Sequence, residues 1–343
     1  MPLNSSRSET FRKCSQNSIQ YSAISKSAST MNRLILIVLF VLAIDGFAQV
    51  PNRTIAVTID DLPVVSTRRD IKNRQEITRK LLGHVRKAKV PAIGFVNENK
   101  LYVDGKRDEK QVDLLRMWVD AGLELGNHTF SHRSLNAIAL AEFQADLLKG
   151  EPITRELLAA NGKKIRYFRH PYLHTGLSME VKTPFLEFLN QHGYSIAPVT
   201  VDNADYIYSA AYDRAFDAGD KVLMKRVGEA YVPYMEAKID YWERQSKKLF
   251  GREIPQTLLI HANFVNSDYF DDLAAMFKRR GYKFITLEEA LKDEAYRLSD
   301  TFTGPAGISW LHRWALAKGR DFLEPSEPKM PDFVLKASGF NSE

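Results

Sequence analysis

Apolar residues along this chain follow two alternating rhythms. Short runs rich in β-branched and aromatic side chains lie at 54–59, 92–96, 123–126, 167–169, 195–199, 257–260 and 283–285. Longer stretches with helical periodicity stand between them, at 69–88, 110–121, 140–160, 179–192, 212–249, 269–280 and 287–296. Strands that alternate with helices predict a parallel sheet with helical crossovers. Seven such units in one chain suit a barrel ringed by helices better than two separate domains. The barrel is expected over 52–297. From 298 to 343 the rhythm gives way to Gly and Pro residues around an amphipathic stretch at 308–317, which predicts a C-terminal extension packed on the barrel.

The N-terminus has a different organisation. Residues 1–30 are rich in Ser, Asn and Lys and carry no apolar periodicity, so they read as a disordered leader or as sequence upstream of a true start at Met31. Asn32-Arg33 then precede the apolar run 34–43 and the small-x-small exit Gly46-Phe47-Ala48. A positive start, a short apolar core and a small-residue exit make 31–48 a secretory signal. The apolar run falls short of the roughly 20 residues a membrane span needs, and an uncleaved anchor is the alternative. An exported protein, periplasmic or extracellular, is expected, with no stable membrane span after cleavage. Cys14, the one cysteine, lies upstream of the cut. The mature chain would then have no disulfide, thiolate metal site or cysteine nucleophile.

The formal net charge of +6 favours acidic surfaces and polymers. The basic residues are scattered, and no helix-turn-helix or zinc-finger pattern appears, so no nucleic-acid partner is expected.

Polar residues collect just after the strands, the edge that carries the active site in parallel α/β barrels. Asp60-Asp61 follows the run 55–59. Two adjacent carboxylates are costly to bury without a cation beside them, and both can serve one site only if the strand ends there, as Pro63 suggests. Alone, the pair reads as a solvated turn or a helix N-cap. His128 and His132 stand at i, i+4, which on a helical turn offers two nitrogens to one metal. Alone, they are equally two surface histidines. Arg169 ends a strand and can hold a carboxylate ionised, or be a surface arginine before a rigid turn. His261 follows a buried strand, poised for acid–base work or bonded to backbone in the core. Together the four places compose a mechanism. Asp61, His128 and His132 supply three ligands and leave a position open for water. Asp60 acts as general base, Arg169 holds it ionised, His261 protonates the leaving amine, and backbone N–H groups near Tyr172 stabilise the oxyanion.

The order of these motifs resembles the polysaccharide deacetylase family, also called NodB-like or carbohydrate esterase family four. The matching segments are Thr58-Ile59-Asp60-Asp61, His128-Thr129-Phe130-Ser131-His132, Arg169-His170-Pro171-Tyr172, Asp202-Asn203-Ala204-Asp205-Tyr206 and Leu258-Leu259-Ile260-His261. They span 58–261, with Ile59 where phenylalanine is commoner and Tyr206 where the family has tryptophan. The resemblance implies an α/β distorted (β/α)7 barrel of the NodB type. It implies Asp60 as base, with Asp61, His128 and His132 binding a divalent metal, often Zn2+. Arg169 would orient Asp60, His261 would be the acid, and Asp205 would adjust it. Pro171, Tyr172 and Tyr206 would meet the substrate, a polysaccharide or oligosaccharide, and Tyr206 would change the wall that receives the acetyl methyl. The donor set also accepts Co2+ or Ni2+. The long helical insertion 212–249 offers Tyr231, Tyr234, Tyr241 and Trp242 either to sugars or, the favoured reading, to packing on the barrel. Trp310 and Trp314, at i, i+4, read as one core face.

The expected function is metal-dependent hydrolysis of N-acetyl, or O-acetyl, groups on a cell-envelope or extracellular polysaccharide. Two rivals stand beside it. A metal-independent cyclic-amide hydrolase of the same fold would tend to lose the ligand set, which this chain keeps. A non-catalytic glycan-binding envelope protein need not keep Asp60, Arg169 and His261 together.

Overall fold

The computed structural model describes residues 53–68, 70–320 and 327–343. The leader, the signal segment and Cys14 lie outside the described residues. No helix among the described residues is long and apolar enough to cross a membrane.

Parallel strands form one curled sheet in the order β7-β6-β5-β2-β1-β8, and β9 pairs with β1. The strands are β1 Arg53–Val65, β2 Ile93–Val96, β5 Glu124–Asn127, β6 Tyr167–Phe168, β7 Ser195–Ile196, β8 Gln256–Asn263 and β9 Tyr282–Phe284. A hairpin outside the predicted set, β3 Tyr102–Val103 and β4 Lys106–Arg107, stands apart from the sheet. The chain beyond β7 swings back to β8, where Thr200 N–H donates to Thr257 O at 3.1 Å and Val201 bridges Leu258. That contact curls the sheet into a distorted barrel, as the alternating rhythm predicted. β1 is central, with Ile55, Val57 and Ile59 fully buried among core side chains. A strand covered on both faces needs this near-continuous apolar run.

The helices are α1 Ile71–Ala88, α2 Glu109–Asp120, α3 Leu140–Lys149, α4 Pro152–Ala159, α5 Met179–Gln191, α6 Asp205–Asp217, α7 Lys221–Phe250, α8 Phe264–Arg279, α9 Leu287–Ala290, α10 Trp310–Ala317 and α11 Asp332–Ser338. Two predicted helices are each a pair. The stretch 140–160 breaks at Gly150-Glu151, where Pro152 opens α4 at its first turn, a position that tolerates proline. The insertion breaks at Ala218-Gly219-Asp220, where Gly219 takes φ +68° and Asp220 caps α7 by accepting from Leu223 N–H.

Tyr231, Tyr234, Tyr241 and Trp242 on α7 are all buried, as are Trp310 and Trp314 on α10. Packing, not sugar stacking, occupies these rings. The chain after 298 lies against the barrel: Trp310 N–H donates to Val199 O at 2.7 Å, and Arg313 Nη1 bonds Thr175 Oγ1 at 2.8 Å and Asp300 Oδ2 at 3.0 Å.

Candidate metal centre and active-site cleft

β1 runs on to Val65, past Pro63, so the two carboxylates do not share a site because the strand ends. Asp61 takes φ +66°, and the pairing of β1 slips between Ile59 and Leu62 on one side and between Asp60 and Val65 on the other. This bulge breaks the strict alternation of side chains and turns both carboxylates into one cleft. Aspartate tolerates the left-handed region better than most residues, because its short polar side chain can bond locally.

His128 and His132 also meet by a different route from the helical turn expected. They sit in a loop after β5 in which Thr129 and His132 take φ of 65° and 55°. Their ring centroids are 4.8 Å apart. The C-terminal end of α3 anchors the loop, since Asp146 Oδ1 accepts from Ser131 Oγ at 2.7 Å and Asp146 O from Phe130 N–H at 3.0 Å. Gly150 allows this approach: a Cβ there would lie 2.4 Å from the backbone of Thr129 and Phe130.

One donor atom each from Asp61, His128 and His132 lie within 4.8 Å of one another, a group that can hold a metal ion. Asp61 Oδ1 stands 3.6 Å from His128 Nε2 and 3.4 Å from His132 Nε2, and is a buried oxygen without a hydrogen-bond partner. The tautomer fits a metal as well. His128 Nδ1 lies 2.8 Å from Arg169 O, which can only accept, so the proton sits on Nδ1 and the lone pair of Nε2 faces Asp61. Burial lowers the pKa of both histidines, which favours the neutral, ligating form. Burial raises the Asp61 carboxyl, but Lys100 and the two histidines outweigh it and hold it below the usual carboxylate range. Lys100 Nζ stands 3.6 Å from Asp61 Oδ1 and donates to Asp61 O at 2.9 Å.

Asp60 lies beside this group, with Oδ2 3.8 Å from both His128 Nε2 and Arg169 Nη1. Burial pushes its carboxyl up to about 6 against the pull of Arg169 and His261. Arg169 is fully buried; its Nη2 donates to Thr58 Oγ1 at 2.7 Å, and Thr58 Oγ1 in turn donates to Leu258 O at 2.7 Å. Asp60 pairs with His261 across β1 and β8. His261 Nδ1 donates to Asp205 Oδ1 at 2.7 Å. Asp205 Oδ2 accepts from His261 N–H, Asn263 Nδ2 and Asn266 Nδ2 at 2.8, 3.0 and 2.8 Å. Burial lowers the His261 pKa, but Asp205 more than reverses this and carries it up to about 9.

A cleft of about 1210 Å³ joins these groups, and Asp60, Asp61, His128, His132, Tyr172, Tyr206 and His261 all line it. Tyr172, half exposed at φ +57°, packs its ring on His132 at 4.5 Å. Pro171 is buried and opens the short turn that carries Tyr172. Tyr206 stands 6.2 Å from the His261 ring. The sequence reading overlooked Thr58 as a support for Arg169, Lys100 beside Asp61, Asn97, whose Nδ2 donates to His128 O at 2.6 Å, and the cradle of Asn263 and Asn266. Asn97 and Lys100 follow β2 as closely as Asp60 sits in β1, so the strand-edge signal extended to them.

Residues 48–197 match the model of a family described as polysaccharide deacetylase. No curated protein matches the chain. Similar solved structures include a CE4 family pseudoenzyme from Bacillus anthracis, at 19% identity over 72% of this chain and 67% of that one, with a TM-score of 0.47. Peptidoglycan deacetylase PdaC from Bacillus subtilis is similar at 19% identity over 72% and 98% of the two chains, with a TM-score of 0.44. A family 4 carbohydrate esterase from Streptomyces lividans in complex with acetate is similar at 18% identity over 70% and 96%, with a TM-score of 0.44.

Proposed function

The chain belongs to the polysaccharide deacetylase family through residues 48–197, and from that premise we propose that it hydrolyses N-acetyl, or O-acetyl, groups on a cell-envelope or extracellular polysaccharide. The observation that carries this reading is the convergence of the Asp61, His128 and His132 donors beside a buried carboxylate, Asp60, and a carboxylate-bound imidazole, His261.

A divalent metal, Zn2+ foremost with Co2+ or Ni2+ as substitutes, would be held by Asp61, His128 and His132. There it would polarise the acyl carbonyl and acidify a water. Asp60 takes the proton of the attacking water, and its raised pKa makes it a better base than a solvated carboxylate. Arg169 fixes Asp60 from one side while its own guanidinium is fixed by Thr58. His261, protonated below about pH 9, gives its proton to the leaving nitrogen as the carbon–nitrogen bond breaks. Asp205 sets the tautomer of His261 and leaves Nε2 as the proton-donating atom. Between about pH 6 and pH 9 Asp60 is therefore ionised and His261 protonated, the states that a base and an acid need. Backbone N–H groups near Tyr172 would assist the developing oxyanion. The products are acetate and a free amine, or a hydroxyl if the substrate is an ester.

Acetate release from N-acetylated oligosaccharides by residues 49–343 tests the reading. Release should stop with a chelator, return with Zn2+ or Co2+, and fall about 1,000-fold in Asp60→Asn. No release from any glycan and no tightly held metal would sink it, and would favour a cyclic-amide hydrolase or a glycan-binding protein. We place the protein outside the cytoplasm on its 31–48 segment; recovery of the full-length chain in the cytoplasmic fraction would refute that.

A further inference from the structure

The cleft has a wall that none of the five motifs supplies. Glu327, Pro328, Lys329, Phe340 and Glu343, all from the C-terminal segment, line it together with Asp60 and His261. Two independent features hold this segment there. The first is α11, which packs on α6, the helix that begins with Asp205-Tyr206; Val334 of α11 is fully buried, and Arg226 of α7 covers the Phe333 ring at 3.9 Å. The second is a polar latch centred on Lys238 of α7, which is buried. Lys238 Nζ bonds Glu327 Oε1 at 2.6 Å and Glu343 Oε1 at 2.9 Å. Glu343 also accepts from Tyr234 Oη at 2.5 Å and from Met330 N–H at 2.8 Å. A buried ammonium is costly unless it is paired, so the two ends of the segment and α7 are tied at one point.

Between these anchors the chain turns back on itself at Gly339, with φ +77°, where a Cβ would sit 2.4 Å from the Arg214 guanidinium. The turn delivers Phe340 to the cleft. Its ring meets Tyr206 edge to face at 5.6 Å, and Tyr206 in turn stands 6.2 Å from the His261 ring. Phe340 stays 45% exposed and Tyr206 41% exposed, although the aromatic rings of α7 close by are buried. Leaving a phenylalanine ring partly in water carries a cost, and here the ring faces a cleft lined by carboxylates and imidazoles.

We propose that Phe340, held by the Lys238–Glu327–Glu343 latch and paired with Tyr206, is a substrate-contacting ring that takes the C–H face of a pyranose on the His261 side of the cleft. This rests on the deacetylase reading for the identity of the ligand, but not for the contact itself. The C–H bonds on one face of a pyranose make an apolar surface, and a rigid ring covers such a surface at little entropic cost. The segment thereby adds specificity for an extended glycan over a small acetylated compound.

The test compares wild type, Phe340→Ala and Phe340→Tyr on an N-acetylated tetrasaccharide and on ethyl acetate. KM for the tetrasaccharide should rise about fivefold in Phe340→Ala, the usual worth of one aromatic contact, and return in Phe340→Tyr. KM for ethyl acetate, which has no ring or sugar face to lay on Phe340, should change less than twofold. Calorimetric binding of the tetrasaccharide to the same three proteins separates this proposal from the reaction. Weaker binding by Phe340→Ala with no acetate released by any of them would defeat the deacetylase reading and support the ring contact. Equal KM and equal affinity in wild type and Phe340→Ala would overturn the ring contact and leave the reaction intact. Absence of binding by all three would overturn it as well.

Discussion

On the Asp61 side of the cleft, buried polar atoms stand without hydrogen-bond partners: Asp60 Oδ1, Asp61 Oδ1, and Nε and Nη1 of Arg169. On the Asp205 side, a fully buried carboxylate collects four donors from His261, Asn263 and Asn266. Backbone conformation divides in the same way. Asp61, Thr129, His132 and Tyr172 all take positive φ, while Asp205 and His261 sit in a helix and a strand. Buried polar groups are normally satisfied, and strained residues persist only where the surrounding structure holds them. The open side thus keeps unfilled hydrogen-bonding and ligating capacity beside a group that can hold a metal ion, and the closed side is a fixed support for one imidazole. Missing hydrogen bonds here point to function more directly than the completed ones do.

The largest effect should come from the open side. His132→Ala should lose the bound metal and at least 1,000-fold in kcat, with Zn2+ no longer raising Tm; in wild type, added Zn2+ should raise Tm by several degrees through linkage. Elemental analysis and calorimetry would check this, and a Tm in wild type indifferent to Zn2+ would break the comparison. On the closed side, Asp205→Asn should lower kcat about 100-fold and also destabilise the fold by about 2 kcal/mol, because amide donors would then face an amide. Denaturant unfolding would separate that loss from Asp60→Asn, which should keep its stability.

The pH dependence sharpens the same contrast. His261 has a folded pKa raised to about 9 above its ordinary 6.5, so the ion pair and the acid are fully present below 6.5 and lost as pH rises through about 9. The alkaline limb of kcat should fall there in wild type and move toward 6.5 in Asp205→Asn. Thr58→Val, which removes the support under Arg169 together with the bond to Leu258 O, should cost about tenfold in kcat with metal content unchanged. Tyr206→Trp, a change of wall on the closed side, should shift kcat/KM by about threefold or less in either direction.

Much of this was legible along the chain, for identifiable reasons. The barrel could be read because each strand carries its own apolar run and each crossover its own helical period, both properties of neighbouring residues. The residues of the candidate centre could be read because the chain after each strand falls at one sheet edge. The way they meet could not. Pro63 suggested a strand end where there is a bulge, and i, i+4 suggested a helix where there is a loop, because both alternatives place the same residues at the same spacing. The break within 140–160 was marked locally by Gly150 and Pro152, since a proline cannot sit in a helix interior without losing a hydrogen bond, but the apolar positions of the two halves follow one another closely enough to mask it.

The sequence by itself determined the order of elements, the family segment and which side chains were available for chemistry, since these depend on residue types and local spacing. The tertiary structure decided the tautomer of His128, the raised pKa of His261 and the presence of Phe340 in the cleft. Each of these depends on a partner 41, 56 or 134 residues away, such as Arg169 O, Asp205 or Tyr206. Burial and pairing across such distances are set by how the barrel closes, and no local pattern of apolar and polar residues encodes them.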